Sequence, residues 1–183
     1  VQILQALASM LEQPGGESIT TAALAARLGV SEAALYRHFA SKAQMFEGLI
    51  EFIEQAVFAL VNKITTASPE DGRQKVARIV AMLLQFGEKN PGMARMMVGD
   101  ALVYENERLQ QRMNLFFDKV EATLRQTLRE MAATSGSISP TADAQVLASV
   151  LTAFAVGRLQ RFARSGFKRL PSEYLDAALT RMV

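Results

Sequence analysis

The sequence predicts an all-α protein, with a small helix-turn-helix head over residues 1–45 and a larger helical body over residues 46–183. Apolar residues recur at helical spacing along most of the chain, Gly and Pro separate those runs, and one stretch near the start has the form of a helix-turn-helix. Half of the 183 residues are hydrophobic, enough for one or two compact units with a substantial core.

The head comes first. Leu4, Leu7, Met10 and Leu11 give residues 1–13 an inward stripe, and Gln13-Pro14-Gly15-Gly16 ends that helix. Ser18, Thr20 and Thr21 then offer hydroxyls to cap a short helix from Ala22 to Leu28. Gly29 takes the left-handed conformation that stops it, Val30 is placed as an apolar plug for the turn, and Ser31 caps a second helix beginning at Glu32. Two helices this close form a helix-turn-helix, whose second helix enters the major groove while the first crosses the backbone.

That second helix, read as far as His38-Phe39, has one apolar stripe carrying Leu35 and Phe39. Ala33, Tyr36 and Arg37 then face DNA. A small Ala33 permits close approach, Tyr36 suits a phosphate or a thymine methyl, and Arg37 suits phosphate or guanine. Thr20, Thr21, Ser31 and Lys42 are phosphate candidates, the hydroxyls being alternatively caps alone and Lys42 a solvated charge opening the next helix. His38, the one histidine, is either structural or phosphate-facing.

The body follows. A long helix from Lys42 to about Thr66 carries Met45, Phe46, Leu49, Ile50, Ile53, Val57, Leu60 and Ile64 on its apolar side. Ser68-Pro69-Glu70 reads as the start of the next, which Val76, Ile79, Val80, Leu83, Leu84 and Phe86 carry to Gly87, before Asn90-Pro91-Gly92 breaks the chain. A short helix from Met93 to Leu102 and a long one from Glu105 to Met131 come next, then a loop over residues 134–141. From Ala142 to Arg164, Val146, Leu147, Val150, Leu151, Phe154 and Leu159 exceed one core-facing stripe, so a second buried face, hence a subunit interface, is expected. The last helix runs from Ser172 to Met182 with Tyr174, Leu175, Ala178 and Leu179. Arg158, Arg161, Arg164 and Lys168 share one stripe, either a solvated rim or a surface for an acidic segment.

Several function classes fall away. A single histidine and no cysteine exclude multi-histidine and thiolate metal sites and disulfides, and the latter fits a reducing cytoplasm. No phosphate-binding glycine loop or catalytic constellation is present, so neither an enzyme nor a cofactor is expected. No apolar run reaches membrane-spanning length, and residues 1–13 do not form a secretory leader. The net charge of +2 is modest, and within residues 1–46 Arg27, Arg37 and Lys42 are balanced by Glu12, Glu17 and Glu32. A neutral reading head binds phosphates weakly by itself, so a second subunit and a basic arm before Val1 are expected.

Thr20-Thr21, Leu24-Ala25, Gly29-Val30-Ser31 and the run from Leu35 through Tyr36, Arg37, His38, Phe39 and Ala40 to Ser41-Lys42 together resemble the DNA-binding domain of the TetR family of regulators. Where most members carry Gly-Thr or a similar small pair, this chain has Ala33-Ala34. That variant, with Leu49 to Glu54, Phe86 to Gly92 and Arg158 to Lys168, resembles the nucleoid-occlusion branch of the family. The resemblance implies a cytoplasmic homodimer on the nucleoid, paired through a four-helix bundle and reading a palindromic duplex with half-sites roughly 34 Å apart, with one or several dimers per site. It also implies capture of the C-terminal tail of the division GTPase FtsZ between the helices over residues 42–66 and 70–89. There Phe52 would anchor an apolar tail residue, Lys89 would meet an acidic one, and Asn90 would bond the peptide backbone. The rival expectation is a TetR-type repressor released from its operator by a small molecule.

Overall fold

The computed structural model describes residues 1–13, 18–67, 71–135 and 140–183, and every regular element among them is helical. The head holds α1 (Gln2–Leu11), α2 (Thr21–Leu28) and α3 (Glu32–Tyr36). The body holds α4 (Lys42–Thr66), α5 (Gly72–Lys89), α6 (Pro91–Met97), a 3₁₀ turn at Asp100–Leu102, α7 (Glu107–Ser135), α8 (Pro140–Arg164) and α9 (Leu175–Met182).

Local chemistry fixes most helix ends. Asp71 opens α5 with a capping box: its carboxylate accepts from Gln74 N–H at 2.9 Å, and its own N–H donates to Gln74 Oε1 at 3.3 Å. The start expected at Ser68-Pro69-Glu70 lies outside the described residues, as do Pro14, Gly15 and Gly16. Asn90 closes α5 and precedes α6, where Pro91 fills the first helical position and forfeits only an N–H that had no partner there. The single helix expected over Met93–Leu102 is instead α6 and a 3₁₀ turn, parted at Gly99. That glycine has φ +79°, and a Cβ there would collide with the Gln110 amide. The loop expected over residues 134–141 is narrower, because α7 runs to Ser135 and α8 begins at Pro140; residues 136–139 are outside the description.

One hydrophobic cluster extends from Leu7 in the head to Leu179 in α9. Helix α4 is central to it, burying Met45, Phe46, Leu49, Ile50, Ile53, Val57, Val61 and Ile64. Leu60, expected inward, is 37% exposed, and Val61 takes its place at 2%. The reason is the helical period: Val57, Val61 and Ile64 share a face, and Leu60 is turned about 100° away from Val61. Tyr174, expected within the last helix, lies outside it. It precedes α9 in the left-handed conformation and is exposed, while Leu175 and Leu179 are buried.

Helix α8 is apolar on two sides. Ala144, Ala148, Leu151, Ala155, Leu159 and Phe162 are buried, whereas Val146 and Val150 lie exposed. Residues Asp143–Arg164, with mean hydropathy 1.2, are long and apolar enough to cross a membrane by length and composition alone, contrary to the expectation that no run reaches that length. Packing accounts for part of that apolarity, since 33% of the stretch is buried where α8 lies against α5, α6 and α7.

Head and body meet closely at α1 and α6. Gly92 is buried, and a Cβ there would run into the Ala8 carbonyl. Beside it, Arg95 Nη1 donates to Leu11 O at 2.9 Å, satisfying a carbonyl at the α1 C-terminus, while Arg95 Nε pairs with Asp100 at 2.8 Å. Gly92→Ala is expected to force the two helices apart at a cost of about 2 kcal/mol, lowering the melting temperature by roughly 5 °C in a calorimetric scan.

Candidate nucleic-acid interface

The reading unit is assembled from consecutive caps. Thr20, in extended backbone, accepts Ala23 N–H at 3.0 Å and opens α2. Gly29 closes α2 at φ +67°, with Gly29 N–H and Val30 N–H returning to Ala26 O and Ala25 O at 3.1 and 3.0 Å. Ser31 then accepts Ala34 N–H at 3.2 Å and opens α3. Val30 does not plug this turn: it is 44% exposed, and backbone hydrogen bonds hold the turn instead.

Leu35 and Phe39 anchor α3 as expected. Leu35 is 1% exposed, and Phe39 lies against Gly48 of α4, where a Cβ would stand 3.0 Å from the ring. Helix α3 stops at Tyr36, earlier than expected, so Arg37 and His38 sit on the following turn, tightened by His38 N–H to Leu35 O at 3.0 Å. Ala33, Tyr36, Arg37 and His38 are all exposed. The side chains of Arg37 and His38 form no hydrogen bond or ion pair among the described residues, leaving both available to a ligand.

The hydroxyls differ in what they have left to give. Thr20 and Ser31 use their oxygens as acceptors and keep their own protons for donation. Thr21 is committed. Its Oγ1 donates to Glu32 Oε2 at 2.9 Å and accepts from Tyr36 OH at 3.5 Å. The latter contact is long enough for the phenol to be redirected at little cost.

Lys42 departs most from expectation. Its Nζ lies 2.7 Å from Glu105 Oε1 and donates to Ser18 Oγ at 3.1 Å, while its side chain is 28% and that of Glu105 10% exposed. The ammonium is drawn toward the body by a carboxylate with almost no other solvation, so phosphate would have to compete with that pair. Arg27 is likewise held, its Nη2 donating to Ser9 Oγ at 2.6 Å. Glu32 and Glu105 were both missed as partners. Glu32 follows Ser31 and was open to notice, whereas nothing in sequence joins Glu105 to Lys42.

The second candidate set lies on α4 and α5. The two helices run antiparallel, because Lys75 Nζ near the start of α5 reaches Thr65 O near the end of α4 at 3.1 Å. Counting equal rises from that contact brings Lys89 level with about residue 51, beside Phe52. Phe52 is 46% exposed on α4, and Lys89 is exposed at the end of α5. Asn90 is half-buried, and its Nδ2 donates one N–H to Phe86 O at 2.8 Å, leaving Oδ1 and the second N–H for a peptide backbone.

Comparison with known proteins fits both halves. Residues 3–49 match the family of bacterial regulatory proteins of the tetR type, and residues 71–182 match the tetracyclin repressor-like C-terminal domain of SlmA-like proteins. The nucleoid occlusion factor SlmA of Shewanella sediminis is 50% identical over 174 residues, covering 95% of this chain and 87% of that protein. That of Vibrio cholerae is 49% identical over 176 residues, covering 96% and 89%. The chain belongs to the SlmA branch of the TetR family.

Solved structures of TetR-like regulators share its fold at low identity. FadR from Bacillus subtilis in complex with stearoyl-CoA aligns with a TM-score of 0.78 at 16% identity, covering 100% of this chain and 96% of that one. PfmR from Thermus thermophilus aligns at 0.72 and 22%, covering 100% and 97%. TetR-family proteins are DNA-binding dimers, regulators rather than enzymes, and the head described above is their reading domain in this chain. Arg37→Ala is expected to weaken duplex binding and lower the salt slope by about one. Lys42→Ala is expected to leave that slope unchanged and to destabilise the fold by roughly 1–2 kcal/mol by stranding Glu105; salt-controlled anisotropy titrations and thermal melts separate the two.

Proposed function

We propose that this chain is a nucleoid occlusion factor that reads a palindromic duplex as a dimer and, when DNA-bound, captures FtsZ and antagonises its polymerisation, blocking septum formation over the nucleoid. The observation that carries this reading is the identity of about half to SlmA proteins along nearly the whole chain, head and body alike. A likeness confined to residues 3–49 would support DNA binding alone.

The interface residues divide by what their side chains have free. Arg37, Tyr36 and His38, with the hydroxyl protons of Thr20 and Ser31, meet the duplex, and Ala33 lets α3 approach the bases. Thr21 acts at second hand, by holding Tyr36 until DNA takes its hydroxyl. The second subunit pairs through the apolar stripe left open on α8, Val146 and Val150, with Leu115 of α7, exposed at 65%, 46% and 65% respectively. Gly157 lies on the same helix with nothing within 4 Å of where its Cβ would be, leaving room for a neighbouring helix.

FtsZ engages the α4–α5 side. Phe52 presents an apolar ring, Lys89 a cation, and Asn90 a carbonyl oxygen at one level of the helix pair, a set suited to a short peptide carrying an apolar anchor and an acid. The reading locates the protein on the nucleoid, inside the cell.

Phe52→Ala and Lys89→Glu, both at exposed positions, are expected to abolish the loss of sedimented FtsZ polymer in the presence of GTP and cognate duplex. Duplex affinity should stay within twofold or so of the parent. Loss of both activities together, or of neither, would contradict separate surfaces.

A further inference from the structure

The most basic stretch of this chain is not in the DNA reader. Between Arg158 and Tyr174 stand five cations, Arg158, Arg161, Arg164, Lys168 and Arg169, against one carboxylate, Glu173, in a chain whose whole net charge is +2. The segment is built to hold its shape. Phe167, at φ +65°, lies against Phe162 with ring centroids 5.2 Å apart, and its N–H returns to Phe162 O at 2.9 Å. Ser165 Oγ accepts Arg169 N–H at 2.8 Å, and Ser172 N–H reaches Glu88 Oε2 on α5 at 3.2 Å.

Arg158, first of the expected stripe, is spent on this architecture: it donates to the carbonyls of Pro171 and Glu173 and covers the Phe154 ring at 4.9 Å. The other cations are left outward. Arg161, Arg164 and Lys168 are exposed and form no ion pair among the described residues, and Arg169 meets Glu173 only at 3.6 Å. Two shallow hollows of about 600 and 170 Å³ adjoin here, sharing Arg169, Leu170 and Glu173. Leu170, 47% exposed, lines both hollows and Tyr174, 76% exposed, the smaller one, each adding an apolar surface among the charges.

We propose that this surface docks an acidic, extended peptide segment bearing apolar residues, in continuation of the α4–α5 groove. The charge complementarity is direct, and the fixed loop spares the ordering entropy that a mobile basic tail would cost. Leu170, exposed beside these cations, gives an apolar residue of a peptide a contact that a row of duplex phosphates would leave unused. Continuity with the groove follows from Glu88, which holds the loop and precedes Lys89. The assignment of that segment to FtsZ rests on the function proposed above; the affinity for acidic peptide does not.

The test titrates the full chain into a short fluorescein-labelled peptide of glutamates interrupted by leucines, beside cognate duplex and phosphatidylglycerol vesicles. Arg161→Glu with Lys168→Glu is expected to weaken peptide binding about tenfold, with duplex affinity, vesicle binding and dimer mass by light scattering unchanged. Alanine at both positions should give a smaller loss, about threefold. Unaltered peptide affinity overturns the proposal, as does an equal loss of duplex or vesicle binding, which would assign these cations to DNA or to membrane. Loss of the dimer overturns it too, by placing them in the subunit interface. Intact peptide binding by a parent chain that fails to antagonise FtsZ would uphold the docking surface and remove FtsZ as its occupant.

Discussion

Everything else in this molecule depends on α4 being a structural part of two bodies at once. Its N-terminal turns bury Met45, Phe46, Leu49 and Ile50, and its later turns bury Ile53, Val57, Val61 and Ile64, all within one continuous core. Each such side chain is worth about 2 kcal/mol of burial, whereas each polar clamp between head and body contributes nearer 1 kcal/mol. The apolar row therefore sets how rigidly head and body are joined. The clamps, Lys42 to Ser18 and Arg95 to the Leu11 carbonyl, set the register in which they meet. With Gly92 pressed against Ala8, the reading head has little freedom to turn without moving α4 and α6, on and beside which Phe52 and Asn90 stand.

The same construction explains an unusual charge economy. Of the head cations, Arg27 and Lys42 are committed to holding the fold, which leaves Arg37 as the one whose side chain is unengaged among the described residues. Phosphate attraction usually supplies much of the affinity for DNA. A head so economical in charge depends on donors at fixed positions and on two heads acting together, so geometry carries more of the discrimination than field strength. The positive excess is placed instead on the α8–α9 side, next to the end of α5.

What could be read from sequence was what short-range chemistry decides. Gly29 and Ser31 act through backbone groups a few residues away, and the structure keeps them where their residue types imply. Periodicity found the α4 core but erred at Leu60, because over 25 residues a small error in phase moves the boundary residue off the buried face. Pro140 was hidden for a different reason: a proline reads as a breaker, yet at a helix start it costs nothing. Least legible were the long-range partners. Nothing in sequence joins Lys42 to Glu105, or sets Arg158 apart from the other three cations of its stripe by its bonds to the carbonyls of Pro171 and Glu173. On the α4–α5 side, Phe52 and Lys89 are exposed, while the Asn90 amide gives one of its donors to Phe86 O at the end of α5.

If DNA binding shifts the head, a head joined this firmly to α4 passes the shift to the proposed α4–α5 surface, and thermodynamics makes the resulting influence reciprocal. The most direct measurement is the affinity of the full-length chain for an FtsZ C-terminal tail peptide, by calorimetry, with and without saturating cognate duplex. A tighter tail complex in the presence of duplex, by about fivefold or more, matched by an equal tightening of duplex binding when tail is present, is the expected result. Identical tail affinities in both conditions would contradict the account, showing head and groove to be neighbours that share a helix without sharing a free energy.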